Sequence, residues 1–207
     1  MYKHIVFDVD GTLINTEEAI ITSLQKVLLK ETGKTYEMYE LDFVLGVPGS
    51  YSIVKFDLNN PSKALDKWQV GIKEHAHLNS IYEGILKLVT TLREMGHKLG
   101  IVTSRRDSEC DSDPLFNTLK PYFDCIVTAD RTEKHKPQAD PLLYYMDKTQ
   151  AKASETVYIG DTPYDSACAD KAGVDFMVAG WGAKHIASIP NKDVLIHPYE
   201  FIKYVTR

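Results

Sequence analysis

The chain has 207 residues, 43% of them hydrophobic and 26% charged, with a formal net charge of −5. That is the composition of a soluble globular chain able to bury a core without staples. The acidic balance argues against a nucleic-acid-binding surface, and no run reaches the length of a membrane span. Met1–His4 leads straight into an apolar run, so no signal peptide is expected. Three widely spaced cysteines, Cys110, Cys125 and Cys168, form no CxxC pair. They fit reduced thiols in a cytoplasmic protein, with buried packing expected for Cys125 and Cys168.

In chain order, His4-Ile5-Val6-Phe7 reads as a short buried strand that runs into Asp8-Val9-Asp10-Gly11-Thr12-Leu13. Gly11 supplies the turn, and the spacing of two sends Asp8 and Asp10 to the same side. An Asp-Gly turn beside a solvated carboxylate is the plain alternative. Two such charges are costly unless a cation separates them or one is protonated, and a hard divalent ion such as Mg2+ meets that need.

From Glu17 to Ser80 the pattern is helical. Ile20, Leu24, Val27 and Leu28 share a helix face over Glu17–Glu31, with Thr16 as N-cap and Gly33 as stop. Further helices are expected over Glu37–Leu45 and Ser62–Asn79, separated by Gly46-Val47-Pro48-Gly49 and Asn59-Asn60-Pro61. A helix from Gly84 to Met95 then opens an alternation with strands at Leu99–Val102, Cys125–Val127, Val157–Ile159 and Phe176–Val178, and an edge strand at Val194–Ile196. This alternation predicts an α/β fold, a doubly wound parallel sheet with helices on both faces. Each strand is followed by a polar cluster, at the edge where such sheets bind ligands.

Four clusters stand in order: Asp8-x-Asp10-Gly11-Thr12, Thr103-Ser104, Lys136-Pro137, and Gly160-Asp161-Thr162-Pro163-Tyr164-Asp165. With them, nearly the whole chain resembles the haloacid dehalogenase superfamily, in its phosphoglycolate phosphatase and β-phosphoglucomutase-like branch. The resemblance implies a Rossmann-like core over residues 1–15 and 81–207 and a small helical cap domain over 16–80. It further implies a Mg2+-dependent phosphatase acting on a small phosphorylated metabolite through an aspartyl-phosphate.

In that reading Asp8 is the nucleophile and a metal ligand. Asp10 is the acid and base, and its backbone carbonyl ligates the metal. Asp161 is the matching metal ligand. Asp165, one helical turn on, supports the metal or its surroundings. Lys136 meets the phosphoryl oxygens and holds Asp8 ionised, while Thr103 and the Ser104 N–H donate to the same oxygens. A solvated loop is the ordinary reading for a lone lysine, and a helix cap for a lone threonine; Pro137 beside Lys136 matches the family's Lys-Pro pair. Asp10 argues against the dehalogenase branch, which lacks it.

Weaker candidates are His75 and His77, whose spacing fits no single helix face and which read as surface or packing residues of the cap, and His135, which has no visible partner. Trp181 either walls the site or packs. Arg105 and Arg106 could contact an anionic substrate, with a solvated loop as the default for them. Selectivity is expected from the cap, whose loop Gly46–Ser50 lacks the arginine of the mutases and so favours hydrolysis. Lys55 or Lys63 could be nominated as a Schiff-base lysine, but nothing in the flanking residues singles either out. The rivals are a β-phosphoglucomutase-like mutase, a non-catalytic phosphate- or metal-binding protein of the same fold, and a phosphoacceptor of the response-regulator type. Neither the natural substrate nor the oligomeric state is legible.

Overall fold

The structure, a computed structural model, describes residues 1–45, 49–189 and 192–206. Eight strands lie among these residues: β1 (His4–Phe7), β2 (Ile14–Asn15), β3 (Ser80–Ile81), β4 (Lys98–Val102), β5 (Cys125–Val127), β6 (Thr156–Gly160), β7 (Asp175–Ala179) and β8 (Asp193–Leu195). The same residues hold nine α-helices: α1 (Glu17–Thr32), α2 (Gly49–Ile53), α3 (Pro61–Glu74), α4 (Ile85–Glu94), α5 (Asp107–Ser112), α6 (Pro114–Leu119), α7 (Asp140–Thr149), α8 (Pro163–Ala172) and α9 (Ile202–Val205).

Six strands form one sheet in the order β5-β4-β1-β6-β7-β8, while β2 pairs with β3 separately. Every pairing in the large sheet is parallel. The order runs away from β1 in both directions, which is the doubly wound α/β arrangement expected from the alternation. The last strand stops at Leu195, one residue short of the expected Ile196.

The chain divides into two compact units, residues 1–14 with 81–207, and residues 15–80. In the first, Ile5, Phe7, Ile101 and Ile159 pack with Ile85, Leu88, Val89 and Leu92 of α4. Those four positions fall on one helix face. Val6, Val102, Tyr158 and Val178 join Leu142 and Tyr145 of α7 and Cys168 and Ala169 of α8 on the other side. A sheet covered on both faces needs apolar side chains at odd and even positions alike, which is why its strands read as continuous apolar runs.

In the second unit, α1 and α3 close over Ile21, Leu24, Leu28, Leu41 and Trp68. Gly33 ends α1 with φ +70°, but Thr16 at its N-cap makes no side-chain capping bond. The segment expected as a helix over 37–45 is a 3-10 helix, Met38–Val44, held by a reciprocal pair between Glu37 and Glu40. Asn60 caps α3 ahead of Pro61, and the helix ends at Glu74 rather than continuing to Asn79. There the His75 ring turns back onto the Gly71 carbonyl and a 3-10 turn, Ala76–Leu78, follows. His75 also meets Ser23 and Lys26 and so belongs to the packing of this unit, while His77, its ring 6.0 Å from that of His75, is exposed. Gly46, Val47 and Pro48 lie outside the described residues, and the expectation about that loop with them.

Candidate active site

The register of the sheet sets the site. Phe7 lies beside Ile101 on one side and Ile159 on the other, so the three central strands end within one residue of one another. Asp8 follows β1, Thr103 follows β4, and Asp161 follows β6 at this single edge. The Asp8 N–H still donates to the Ile159 carbonyl (2.9 Å), and the Thr103 N–H to that of Val127 (3.0 Å), which carries the ladder to the first polar residue.

Close backbone approach comes from glycine. Gly11 has φ +74°, and a Cβ there would stand 2.1 Å from Asp161 Oδ2. A Cβ on Gly182 would stand 1.9 Å from the Gly11 carbonyl oxygen. The loop after β7 therefore lies directly on the Asp-Gly turn, and the Trp181 indole N–H donates to the Thr12 carbonyl (2.9 Å). Trp181 also packs against the core beneath this turn, so its ring props the turn.

The carboxylates of Asp8, Asp161 and Asp165 converge, each offering an oxygen within 4.8 Å of the others. All three are buried. Lys136 Nζ, also buried, lies 3.0 Å from Asp8 Oδ1 and 2.7 Å from Asp165 Oδ1. Its third contact is the Tyr158 hydroxyl oxygen at 3.2 Å. Asp165 is filled on both oxygens: Oδ1 faces Lys136 and the Tyr158 hydroxyl (2.8 Å), and Oδ2 accepts from the Thr162 N–H (3.1 Å) and hydroxyl (2.6 Å). A carboxylate offers about four lone-pair sites, and these four contacts use them. Asp161 instead accepts a single side-chain bond, from the Thr12 hydroxyl (2.9 Å).

Three buried carboxylates converge where one ammonium pairs with two of them, and the electrostatics register the shortfall. Burial pushes Asp8 up to about 7, with Lys136 opposing and Asp165 and Asp10 adding to the rise. Asp161 is raised well above the carboxylate range by burial, then by Asp165 and Asp8. For Lys136 burial disfavours the charge, but the Asp165 and Asp8 carboxylates outweigh it and hold the ammonium protonated. Burial and the Asp165 charge raise the Tyr158 phenol far above its usual value, so it stays neutral. The set is all hard oxygen donors with an excess of negative charge, which fits a divalent cation of the Mg2+ type.

Asp10 stands outside this cluster. Both of its oxygens accept from Arg105, from Nε at 2.9 Å and from Nη2 at 2.7 Å. The converging set is therefore Asp8, Asp161 and Asp165, where Asp8, Asp10 and Asp161 were expected; the expectation for Asp10 rested on its backbone carbonyl. Thr103 is buried at the same edge, and its hydroxyl accepts from the Arg105 N–H (3.2 Å). The Ser104 side chain is exposed.

The reading of Arg105 as a solvated loop residue is overturned: its side chain is 13% exposed and ion-paired to both Asp10 and Asp113. Sequence reasoning also passed over Thr12 and Tyr158. A tyrosine inside the apolar run Val157–Ile159 was the available signal, since a buried phenol requires a partner.

Comparison with known proteins places the chain in a family. The family described as haloacid dehalogenase-like hydrolase matches residues 5–179, and the chain belongs to it. It is 33% identical over 184 residues to the pyrophosphatase PpaX of Halalkalibacterium halodurans, covering 87% of this chain and 84% of the relative. It is 30% identical over 190 residues to the pyrophosphatase PpaX of Anoxybacillus flavithermus, covering 89% and 87%. Among solved structures, a predicted phosphatase from Clostridium acetobutylicum superposes with a TM-score of 0.82 at 25% identity, over 100% of this chain and 99% of that one.

Proposed function

We propose that this hydrolase is a Mg2+-dependent phosphatase that cleaves a small phosphorylated metabolite through a phosphoenzyme on Asp8. The single observation that carries the reading is the setting of Asp8: a buried carboxylate 3.0 Å from Lys136 Nζ, in reach of the Asp161 carboxylate, at the open edge of a parallel sheet.

A phosphomonoester is a dianion, and an attacking carboxylate meets it with like charge. Asp8, Asp161 and the Asp10 carbonyl would hold a divalent cation, whose charge would offset that repulsion. The chain's own groups do the rest. Asp8 attacks phosphorus, the bond to the leaving oxygen breaks, and Asp10 gives that oxygen a proton. Asp10 then takes a proton from the water that attacks the aspartyl-phosphate, which frees phosphate and restores Asp8. Lys136 favours the Asp8 carboxylate against the upward pull of burial and faces the transferred oxygens afterwards. Thr103 and the Ser104 N–H donate to those oxygens. Asp165, its oxygens already taken by Lys136, Tyr158 and Thr162, serves to hold the lysine rather than the cation.

The name carried by the relatives directs attention to pyrophosphate as a substrate. Its leaving group is phosphate, small enough to need no dedicated pocket. The three cysteines are free thiols, which fits a reducing cytoplasmic setting.

The decisive experiment is phosphate release from a panel containing pyrophosphate, phosphoglycolate, sugar phosphates and nucleoside monophosphates, with Mg2+ present. Turnover of one or more by the wild type, and none by a folded Asp8→Asn variant, is the expected result. Mg2+-dependent turnover retained by Asp8→Asn rejects the nucleophile. Interconversion of sugar phosphates without net release of phosphate points to the mutase instead.

A further inference from the structure

The Asp10 carboxylate is held in a fork, and the fork itself is anchored. Arg105 donates from Nε and Nη2 to the two oxygens of Asp10, at 2.9 and 2.7 Å, and from Nη1 to Asp113 Oδ2 at 2.6 Å. All three guanidinium nitrogens are thereby engaged. The backbone of Arg105 is fixed as well: its N–H donates to Thr103 Oγ1 (3.2 Å), and its carbonyl accepts from the Ala129 N–H (2.9 Å). Asp113 is locked in turn, its Oδ1 capping α6 through the Leu115 and Phe116 N–H groups (2.8 and 3.3 Å). A rigid chain of contacts therefore runs from the N-terminus of α6, through Asp113 and Arg105, to Asp10.

We infer that Arg105 is the positioning residue for Asp10, holding it in the orientation from which it passes a proton to and from the reacting oxygens. Bidentate pairing of a guanidinium with a carboxylate fixes direction as well as distance, which a lysine ammonium does not do. Asp10 needs that help. It lies past the end of β1 in a turn, and its side chain is 40% exposed. The competing reading, an arginine that binds an anionic group of the substrate, requires a free guanidinium edge. Here every guanidinium nitrogen already donates to Asp10 or Asp113, and the side chain is 13% exposed, so little of that edge is open to a ligand.

The inference rests on the phosphatase reading, and a double-mutant cycle separates the two. The variants are Arg105→Ala, Asp10→Asn and both together, assayed by phosphate release from an alkyl phosphate and from p-nitrophenyl phosphate. Arg105→Ala is expected to lower kcat on the alkyl phosphate by about a hundredfold, with KM changed by less than about twofold. The p-nitrophenyl ester, whose leaving group departs without a proton, loses much less in kcat/KM. In the Asp10→Asn background the removal of Arg105 costs nothing more, because a group acting through Asp10 has nothing left to orient. Added guanidinium ion restores part of the activity of Arg105→Ala.

Losses that multiply in the double variant, or a raised KM at unchanged kcat, overturn this inference alone. A wild type that releases no phosphate overturns the phosphatase reading, a fully active Asp10→Asn overturns the acid–base role of Asp10 alone, and either takes the role of Arg105 with it. Should Arg105→Ala not fold, Arg105→Lys keeps the charge and loses only the fork. It is expected to melt near the wild type yet show the same leaving-group pattern, and wild-type kinetics in that variant count against the inference.

Discussion

Asp8 and Asp165 meet on one ammonium, and that contact governs what single substitutions do. Lys136 Nζ holds both carboxylates inside the protein, at 3.0 and 2.7 Å. Removing one partner of a buried ion pair leaves the other charge without compensation, at a cost of about 3–5 kcal/mol. Lys136→Met keeps the length of the side chain and loses the charge. It is expected to destabilise the metal-free protein by about that amount in urea unfolding, and to abolish phosphate release. A loss of activity with an unchanged unfolding midpoint would show that Asp8 and Asp165 find other partners. The glycines act at this scale too. At Gly11 and Gly182 the neighbouring atoms stand where a side chain would be, so those positions hold the turn and the loop together by what they lack.

Among the elements, α8 carries the most chemistry for its length. Thr162 caps it, Pro163 follows in the first turn, and Asp165 closes the reciprocal cap by accepting from the Thr162 N–H. The same Asp165 holds Lys136. The start of this helix and the lysine's position are therefore one network, and a change to the cap reaches the site. Thr162→Ala removes the hydroxyl that bonds Asp165 at 2.6 Å and accepts from its N–H at 3.1 Å. The expected outcome is a loss of about 1 kcal/mol in stability, with a fall in kcat larger than any change in KM. Thr162→Ser, which keeps the hydroxyl, should restore both. A Ser variant as impaired as the Ala variant would assign the effect to the lost methyl group and its packing.

Over the whole molecule, the excess of buried negative charge couples folding to pH and to the cation. Asp8 is raised from 3.8 to about 7 by burial. A carboxyl whose folded value lies above its unfolded one contributes stability that is complete below the unfolded value and lost as pH rises through the folded one. Asp161 shifts in the same direction. The metal-free protein therefore loses this contribution between about pH 4 and pH 7 and beyond. His4 is lowered, by burial first, and works the other way as pH passes 6.5. The rise in Tm on adding Mg2+ isolates the carboxylates from that effect. It is expected to be small at pH 5, where protons compete for Asp8, and to grow to pH 8. A Mg2+-induced shift that is flat across this range, or absent in the wild type, counts against the cation site. Asp8→Asn should show a smaller shift and less dependence on pH.

How much of this was legible in the sequence differs between the fold and the site. The parallel sheet was readable because burial on both faces leaves unbroken apolar runs, and Asp8, Thr103, Thr128, Asp161 and Gly180 mark where five of them end. α1 and α4 were readable because one helix face repeats with the helical period. The 3-10 segment at Met38–Val44 and the early end of α3 were not, because local side-chain bonds, Glu37 with Glu40 and His75 with Gly71, decide them. The sequence by itself determined which residues stand at the carboxyl edge: Asp8, Thr103 and Asp161 each come directly after an apolar run, and parallel strands in register bring such positions level. Only the tertiary structure decided who pairs with whom there. Arg105 on Asp10, Lys136 on Asp8 and Asp165, and the Tyr158 hydroxyl beside them join residues far apart in the chain. Periodicity records whether a side chain is buried, but the partner of a buried charge is chosen by strand order and distance, and neither is written in any local pattern.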